Sequence, residues 1–458
     1  MKGYSSKIGL ISGIVIFFIV LQLPLDINFN AKLVLATTLL MCTLWIIEAL
    51  PIYVTSLLPI IIFQFDKELT NALTAYADRI IFLFLGGFIL ALSIDKYNLH
   101  KRLAFNIIKR VGNDPKRVIG AVIISTGTLS AWMSNTTVAM VMLPIGLAIV
   151  SLSNDRKFTI ALLLSIAYAA NLGGIATLVG TPPNAIFASL ADKLLNIEIS
   201  FSDWLIIGVP ISIITLIITW LYLTNIAIKL DKSQLDMNKI FEELKSLGNI
   251  NRDEKIIIVI FLSLIIAWIT KVLWGKFIPF IDDSSIAIIA AIMLFIIPNK
   301  NGKRLLEWSD TKSIPWGVLL LMGSGLSLAS SFHITGLDLW IAKYLYFEGI
   351  NYIIIILLIT TLTIFTNEIM SNTAMASLFI PIGIVVANNL NLDPLALMIT
   401  ITLSASCGFA IPVGTPPNAL VFSTGYIPIR DMIKIGLQLD LICIGIITLT
   451  SIVIIHLL

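Results

Sequence analysis

Two short motifs, each present twice, decide the fold: Ser134-Asn135-Thr136 and Gly180-Thr181-Pro182-Pro183-Asn184 in the first half, then Ser371-Asn372-Thr373 and Gly414-Thr415-Pro416-Pro417-Asn418 in the second. The Ser-Asn-Thr copies lie 237 residues apart (371 − 134) and the Gly-Thr-Pro-Pro-Asn copies 234 apart (414 − 180). A third landmark precedes both: Leu85-Gly86-Gly87-Phe88 against Met322-Gly323-Ser324-Gly325, again 237 apart (323 − 86). A single Ser-Asn-Thr in a membrane helix reads as a helix–helix hydrogen-bonding contact, and a single Gly-Thr-Pro-Pro as a kink. The same set repeated in order reads as an internal duplication, which in membrane proteins points to a transporter site.

The residues around the motifs are overwhelmingly apolar. Of 458 residues, 58% are hydrophobic and 12% charged, and the mean hydropathy is +0.98, which excludes a water-soluble domain. A membrane helix needs about 20 apolar residues, and the chain offers many such stretches, so it reads as an all-α polytopic membrane protein rather than a barrel. The net charge of +3 comes mostly from loop Lys and Arg; it reports orientation in the bilayer, not affinity for nucleic acid. Cys42, Cys407 and Cys443 sit in apolar segments with neither disulfide nor metal-site spacing and read as buried thiols. Lys2 and Lys7 precede an apolar run without a small-residue cleavage site, which predicts an uncleaved first helix.

Spans are expected near 8–24, 31–48, 53–64 and 79–95, followed by an amphipathic stretch, Leu99–Val111, lying along the interface. The apolar block 118–150 is too long for one span and too short for two, with Ser134-Asn135-Thr136 at its middle; a re-entrant hairpin fits. Further spans fall near 158–190 (interrupted), 203–228, 254–274, 284–298 and 316–332, then a second hairpin at 351–388 and spans near 395–423 (interrupted) and 431–456. The hydrophilic linker 229–255 divides the halves. With both blocks returning to the side they entered from, 23 of the 30 Lys and Arg fall on the cytoplasmic side, the N-terminus included, and seven outside, satisfying the positive-inside rule. A single crossing by 118–150 would put the Lys- and Arg-rich linker outside. The two hairpins then open from opposite sides, so the repeats are inverted, and such repeats bind substrate at their interface near the midplane.

Non-helical backbone at membrane depth is tolerated only where protein, ions or water complete its hydrogen bonds. Thr-Pro-Pro must break a helix, because each proline removes a donor and clashes with the preceding turn. The helix that follows each break turns unpaired N–H groups and a positive dipole end toward an anion, while carbonyls freed near Gly180 and Gly414 can coordinate a cation. Ser, Thr and Asn side chains can serve both ligands. The motifs contain no Lys or Arg, so a bound dianion needs counter-charge, and bound cations are the natural source. Of the intramembrane acids, Glu48 lies at a helix end beside Pro51, whereas Glu368, three residues before Ser371, carries the stronger functional claim. His100, His333 and His456 neighbour no motif and read as interfacial or structural.

With these residues in view, the chain resembles the divalent anion:sodium symporter family of dicarboxylate and citrate carriers over nearly its whole length. The resemblance rests on Phe84-Leu-Gly-Gly-Phe-Ile-Leu-Ala91, Asn98-Leu-His-Lys-Arg102, Ser134-Asn-Thr136 with Pro144, Gly180-Thr-Pro-Pro-Asn184, and the second-half copies with Pro381. It implies about eleven transmembrane helices with two re-entrant hairpins, a homodimer joined through scaffold domains, and elevator movement of a transport domain. The implied division is scaffold and interfacial arm at 1–111 (first repeat from about 31), transport domain at 112–228, cytoplasmic linker at 229–255, scaffold at 256–347 and transport domain at 348–458. Substrate carboxylates would be bound by Asn135, Thr136, Thr181, Pro182, Asn372, Thr373, Thr415 and Pro416. One co-transported Na⁺ would use Ser130, Ser134, Asn135 and the Gly180 carbonyl; a second would use Ser371, Asn372, the Gly414 carbonyl and position 367. The family often has Thr at that last position, where this chain has Asn367; its amide oxygen can still ligate.

The expected function is Na⁺-coupled import of a succinate-, malate- or fumarate-type dicarboxylate across the inner or plasma membrane, with the N-terminus cytoplasmic and the C-terminus outside. Sodium-independent exchange, or carriage of citrate or sulfate, are the alternatives within this class. A membrane-embedded enzyme would need a nucleophile with its base, a His pair or an Asp dyad at membrane depth, and the sequence offers none.

Overall fold

The computed structural model describes residues 2–153, 155–228, 230, 242, 247–344 and 350–457. Among them secondary structure is helical, apart from an isolated bridge between Pro298 and Arg304. The first half runs through α1 (Lys2–Gln22), α2 (Phe29–Ile47), α3 (Arg79–Lys96), the amphipathic arm α4 (Leu99–Val111), α5 (Pro115–Ser130), α6 (Asn135–Val150), α7 (Arg156–Gly174), α8 (Pro182–Leu195) and α9 (Phe201–Leu221). The second half follows with α10 (Arg252–Trp274), α11 (Asp283–Ile296), α12 (Trp316–Thr335), α13 (Leu337–Tyr344), α14 (Tyr352–Asn367), α15 (Asn372–Asn389), α16 (Pro394–Ser404), α17 (Pro416–Ser423) and α18 (Ile429–Leu457).

The duplication seen in the motifs extends to whole helices. Shifted by 237, α5 starts and ends where α14 does, and α3 starts where α12 does. The turns are set by the same chemistry in both halves: Ser134 and Ser371 stand at N-cap positions and accept from the amides of Thr137 and Ala374, each at 3.3 Å. Helices α5, α6 and α14 have 16 residues each, a rise of about 24 Å. That is short of the roughly 30 Å hydrocarbon core, whereas α15, the fourth arm, has 18 residues and is long enough to cross.

Two readings change. The span near 53–64 is an interrupted helical stretch, Ile52–Thr55, Leu58–Ile62 and Phe63–Phe65, because Pro59 withholds the amide that a continuous helix would pair with the Thr55 carbonyl. The linker ends earlier than residue 255: Asn251 and Glu254 form a capping box that starts α10 at Arg252. Of the rest of that linker, residues 230, 242 and 247–251 are described and the others lie outside the described residues. Among the described residues eight helices are long and apolar enough to cross a membrane, and shorter apolar helices such as Asp283–Ile296 and Pro394–Ser404 supply the remaining apolar length.

Burial orders the helices. The apolar window of α7 is 94% buried and that of α10 only 22%, so α7 lies at the centre and α10 faces outward. Close crossings hold the centre together: Gly173 of α7 meets the Gly127 backbone of α5, and a Cβ on Gly86 of α3 would stand 2.6 Å from that of Ala287 on α11. Helix α8 packs against α15, the second arm of the second hairpin, and α17 packs against α6, the second arm of the first. Each broken helix therefore meets the hairpin of the other repeat. At the N-terminal end of α3, Arg79 pairs with Asp192 (3.0 Å) and Asp282 (3.8 Å), and Lys271 with Asp283 (3.2 Å), linking α3, α8, α10 and α11. At its other end Arg102 of the arm pairs with Glu254 at 3.0 Å and donates to the carbonyls of Leu247 and Gly248.

Candidate functional site

At the first hairpin tip, Ser130 is wholly buried; its Oγ donates to the Ala170 carbonyl at 2.5 Å and lies 3.0 Å from Asn135 Oδ1. A Cβ on Gly174 would lie 2.6 Å from Asn135 Oδ1 and 3.1 Å from the Gly180 carbonyl oxygen, so both oxygens converge where glycine leaves room. Three of the four expected ligands of the first cation, Ser130, Asn135 and Gly180, are thus brought together. Ser134 Oγ turns to the start of α6, where it lies 2.7 Å from Thr137 Oγ1 and caps the helix.

The second tip repeats this plan with different side chains. Asn367, also wholly buried, donates from Nδ2 to the Cys407 carbonyl at 2.7 Å, and its Oδ1 receives no hydrogen bond among the described residues. An unpaired buried amide oxygen is costly unless something else completes it, and a cation would. Ser371 caps α15. Glu368 accepts from the amides of Ala410 (2.8 Å) and Ile411 (2.9 Å), and a Cβ on Gly414 would stand 3.0 Å from its Oε2, so the carboxylate holds the second break in place. Thr136 and Asn372 stand partly exposed with side chains that make no hydrogen bond among the described residues; Thr373 is buried behind Asn372.

In both breaks the final Asn of the motif braces the non-helical backbone. Asn184 Nδ2 lies within 3.1 Å of the Gly174 carbonyl, 3.3 Å of Ile175 and 2.8 Å of Thr177; Asn418 Nδ2 reaches Gly408 at 3.1 Å and Ile411 at 3.2 Å. Pro182 and Pro416 occupy the first helical positions of α8 and α17, where a missing N–H removes nothing. Thr415 Oγ1 accepts from Asn171 Nδ2 at 3.0 Å, whereas Thr181 Oγ1 is buried without a partner among the described residues.

These bonds locate the discrepancy between the two repeat offsets. The Ser130–Ala170 and Asn367–Cys407 bonds keep the 237 offset (407 − 170), while the Asn184–Gly174 and Asn418–Gly408 bonds keep 234 (408 − 174). Asn171, Leu172 and Gly173 are three extra residues of the first half, with no counterpart between Cys407 and Gly408.

Sequence reasoning passed over Asn171, the bracing by Asn184 and Asn418, and Asp440, which is wholly buried and accepts from the Phe409 amide at 3.1 Å. The repeated Asn of the Pro-Pro-Asn step and an acid inside the apolar α18 were the available signals; Asn171, present in one half only, left none. Among the described residues neither Glu368 nor Asp440 forms an ion pair with Lys, Arg or His, and no group of three or more His, Cys, Asp or Glu could hold a metal. The site offers hydroxyl, amide and carbonyl oxygens, the donor set of a hard cation.

The model of the family described as "Sodium:sulfate symporter transmembrane region" matches residues 5–458. The chain belongs to the sodium:sulfate symporter family. Within it, the chain is 40% identical to the sodium-dependent dicarboxylate transporter SdcS of Staphylococcus saprophyticus, covering 96% of this chain and 90% of that protein. It is 38% identical to SdcS of Staphylococcus aureus strain USA300, over 95% and 88% of the two chains. Among solved structures, the fold is similar to the Alcanivorax borkumensis YdaH transporter (TM-score 0.62, 17% identity, covering 85% of this chain and 87% of that one). Neisseria gonorrhoeae MtrF is similar as well, at TM-score 0.57 and 14% identity over 86% and 84%. At those identities the likeness concerns the fold alone. The motif-based resemblance and the match agree on one family of membrane transporters.

Proposed function

We propose that this sodium:sulfate symporter family member imports a small C4 dicarboxylate together with Na⁺. The observation that carries the reading is the pairing of two oxygen-lined tips with two helix starts, without Lys or Arg in any of the motifs. A dianion at membrane depth is expensive without compensating charge. Sodium at the first tip (Ser130, Ser134, Asn135, Gly180) and the second (Asn367, Ser371, Asn372, Gly414) offsets that cost. The anion's carboxylates then meet Asn135, Thr136, Thr181, Pro182, Asn372, Thr373, Thr415 and Pro416. Cation and anion each raise the other's affinity, and that reciprocity is the coupling.

The scaffold is read as α1–α4 with α10–α13, and the moving block as the two hairpins with α7–α9 and α14–α18. The block slides as an elevator, in a homodimer joined through the scaffold, with the N-terminus cytoplasmic and the C-terminus outside. The names of the SdcS relatives favour a dicarboxylate, and the family description keeps sulfate in view as a competitor. In proteoliposomes, labelled succinate should enter empty vesicles only under an inward Na⁺ gradient, with weak competition by sulfate. Entry confined to succinate-preloaded vesicles without Na⁺ would replace symport by exchange, and dominance of sulfate would replace the substrate.

A further inference from the structure

Asn171 belongs to the three-residue excess of the first half and is wholly buried in the last turn of α7. Its Oδ1 accepts from Asn135 Nδ2 at 3.3 Å and its Nδ2 donates to Thr415 Oγ1 at 3.0 Å. One side chain thus spans from the first hairpin tip to the second helix break, across the repeat interface. The opposite diagonal has no such bridge among the described residues: Cys407 is followed directly by Gly408, and Thr181, the counterpart of Thr415, keeps a buried hydroxyl without a partner there.

We propose that Asn171 is a positioning residue that couples the cation at the first tip to the anion at the second break. The inference rests on the symport reading above. A cation bound by Asn135 Oδ1 fixes the plane of that amide and hence the direction of its Nδ2. Asn171 must then present Oδ1 to Asn135, which leaves its Nδ2 for Thr415. A Thr415 hydroxyl that accepts from Asn171 has its single proton left for a carboxylate oxygen of the anion. The second tip lacks this connection to Thr181, so the two cations are unequal: the first one organises the anion's donors.

The test measures succinate dissociation constants for the full-length protein in lipid nanodiscs, in saturating Na⁺ and in choline, and Na⁺ dissociation constants with and without succinate. In the unaltered protein Na⁺ should tighten succinate by at least about tenfold, and succinate should tighten Na⁺ by the same factor. Asn171→Leu, close in volume but without either hydrogen bond, should bring both ratios toward one. Asn171→Ser, which packs more loosely but keeps a hydroxyl too short to span both partners, should do the same and serves where the Leu variant does not fold. Weaker binding with both ratios unchanged would make Asn171 a packing residue and overturn the inference. Absence of any Na⁺ effect in the unaltered protein would instead sink the symport reading, and the inference with it.

Discussion

Ser130 and Asn367 occupy the same place in the two halves, 237 residues apart (367 − 130), and each donates its side-chain hydrogen to the carbonyl forty residues on, at 2.5 Å to Ala170 and 2.7 Å to Cys407. The equivalence explains how an amide can stand where the family often has a hydroxyl. Asn367 makes the structural bond with nitrogen, and its oxygen has no hydrogen-bond partner among the described residues.

Asn367→Leu should therefore remove a cation ligand and strand the Cys407 carbonyl, costing about 1–3 kcal/mol of stability and raising the Na⁺ concentration needed for half-maximal uptake. Asn367→Thr keeps a donor and a compact ligand, and should lower that concentration below the unaltered protein's. Sodium titration of succinate uptake, with thermal unfolding in parallel, checks both; an unchanged sodium requirement in the Leu variant would take Asn367 out of the second site.

Asn135→Ala and Asn372→Ala should each abolish transport without loss of expression or dimerisation. Their stabilities should differ, however. Asn135 sits between Ser130 and Asn171, so its loss should cost on the order of 1 kcal/mol, whereas the Asn372 side chain makes no hydrogen bond among the described residues and its loss should cost under about 0.5 kcal/mol. Uptake kinetics and melting curves of both variants decide the matter, and normal uptake in either would remove its tip from the site.

The legible part of the fold followed from polar and proline residues placed where lipid forbids them. The apolar blocks 118–150 and 351–388, each divided by its Ser-Asn-Thr motif, place the hairpin arms so closely that the first arms start within a few residues of the expected blocks. Duplication then singled out the tips and breaks. It could not reveal Asn171, because a residue in one copy has no echo in the other, nor say which carbonyl each Asn braces, because those partners are backbone atoms without sequence identity. The 53–64 segment misled because its apolar length outweighed two prolines that flank or enter it.

The bracing asparagines should prove structural as well as functional. Asn184→Ala leaves the Gly174 and Thr177 carbonyls without their side-chain donor, and Asn418→Ala does the same to Gly408 and Ile411, at about 1–3 kcal/mol each. Because three carbonyls meet Asn184 and two meet Asn418, the first substitution should lower the melting temperature further. The opposite order in a thermal-shift assay would count against the bracing geometry.

The inversion proposed for the repeats predicts their sidedness. Single cysteines at Asn249 and Ile350, both exposed, in a background without native thiols, should react with an impermeant maleimide from opposite faces of the membrane, Asn249 from the cytoplasm. Labelling from the same face would refute the inversion.

The crossed packing of α8 on α15 and α17 on α6 bears on ancestry. Each hairpin packs on the broken helix of the other repeat, so a chain of one repeat would have neither contact and would need a second copy to supply both. Fusion of two such copies would make the pairing permanent, and Asn171, present in one half alone, marks a place where the halves differ.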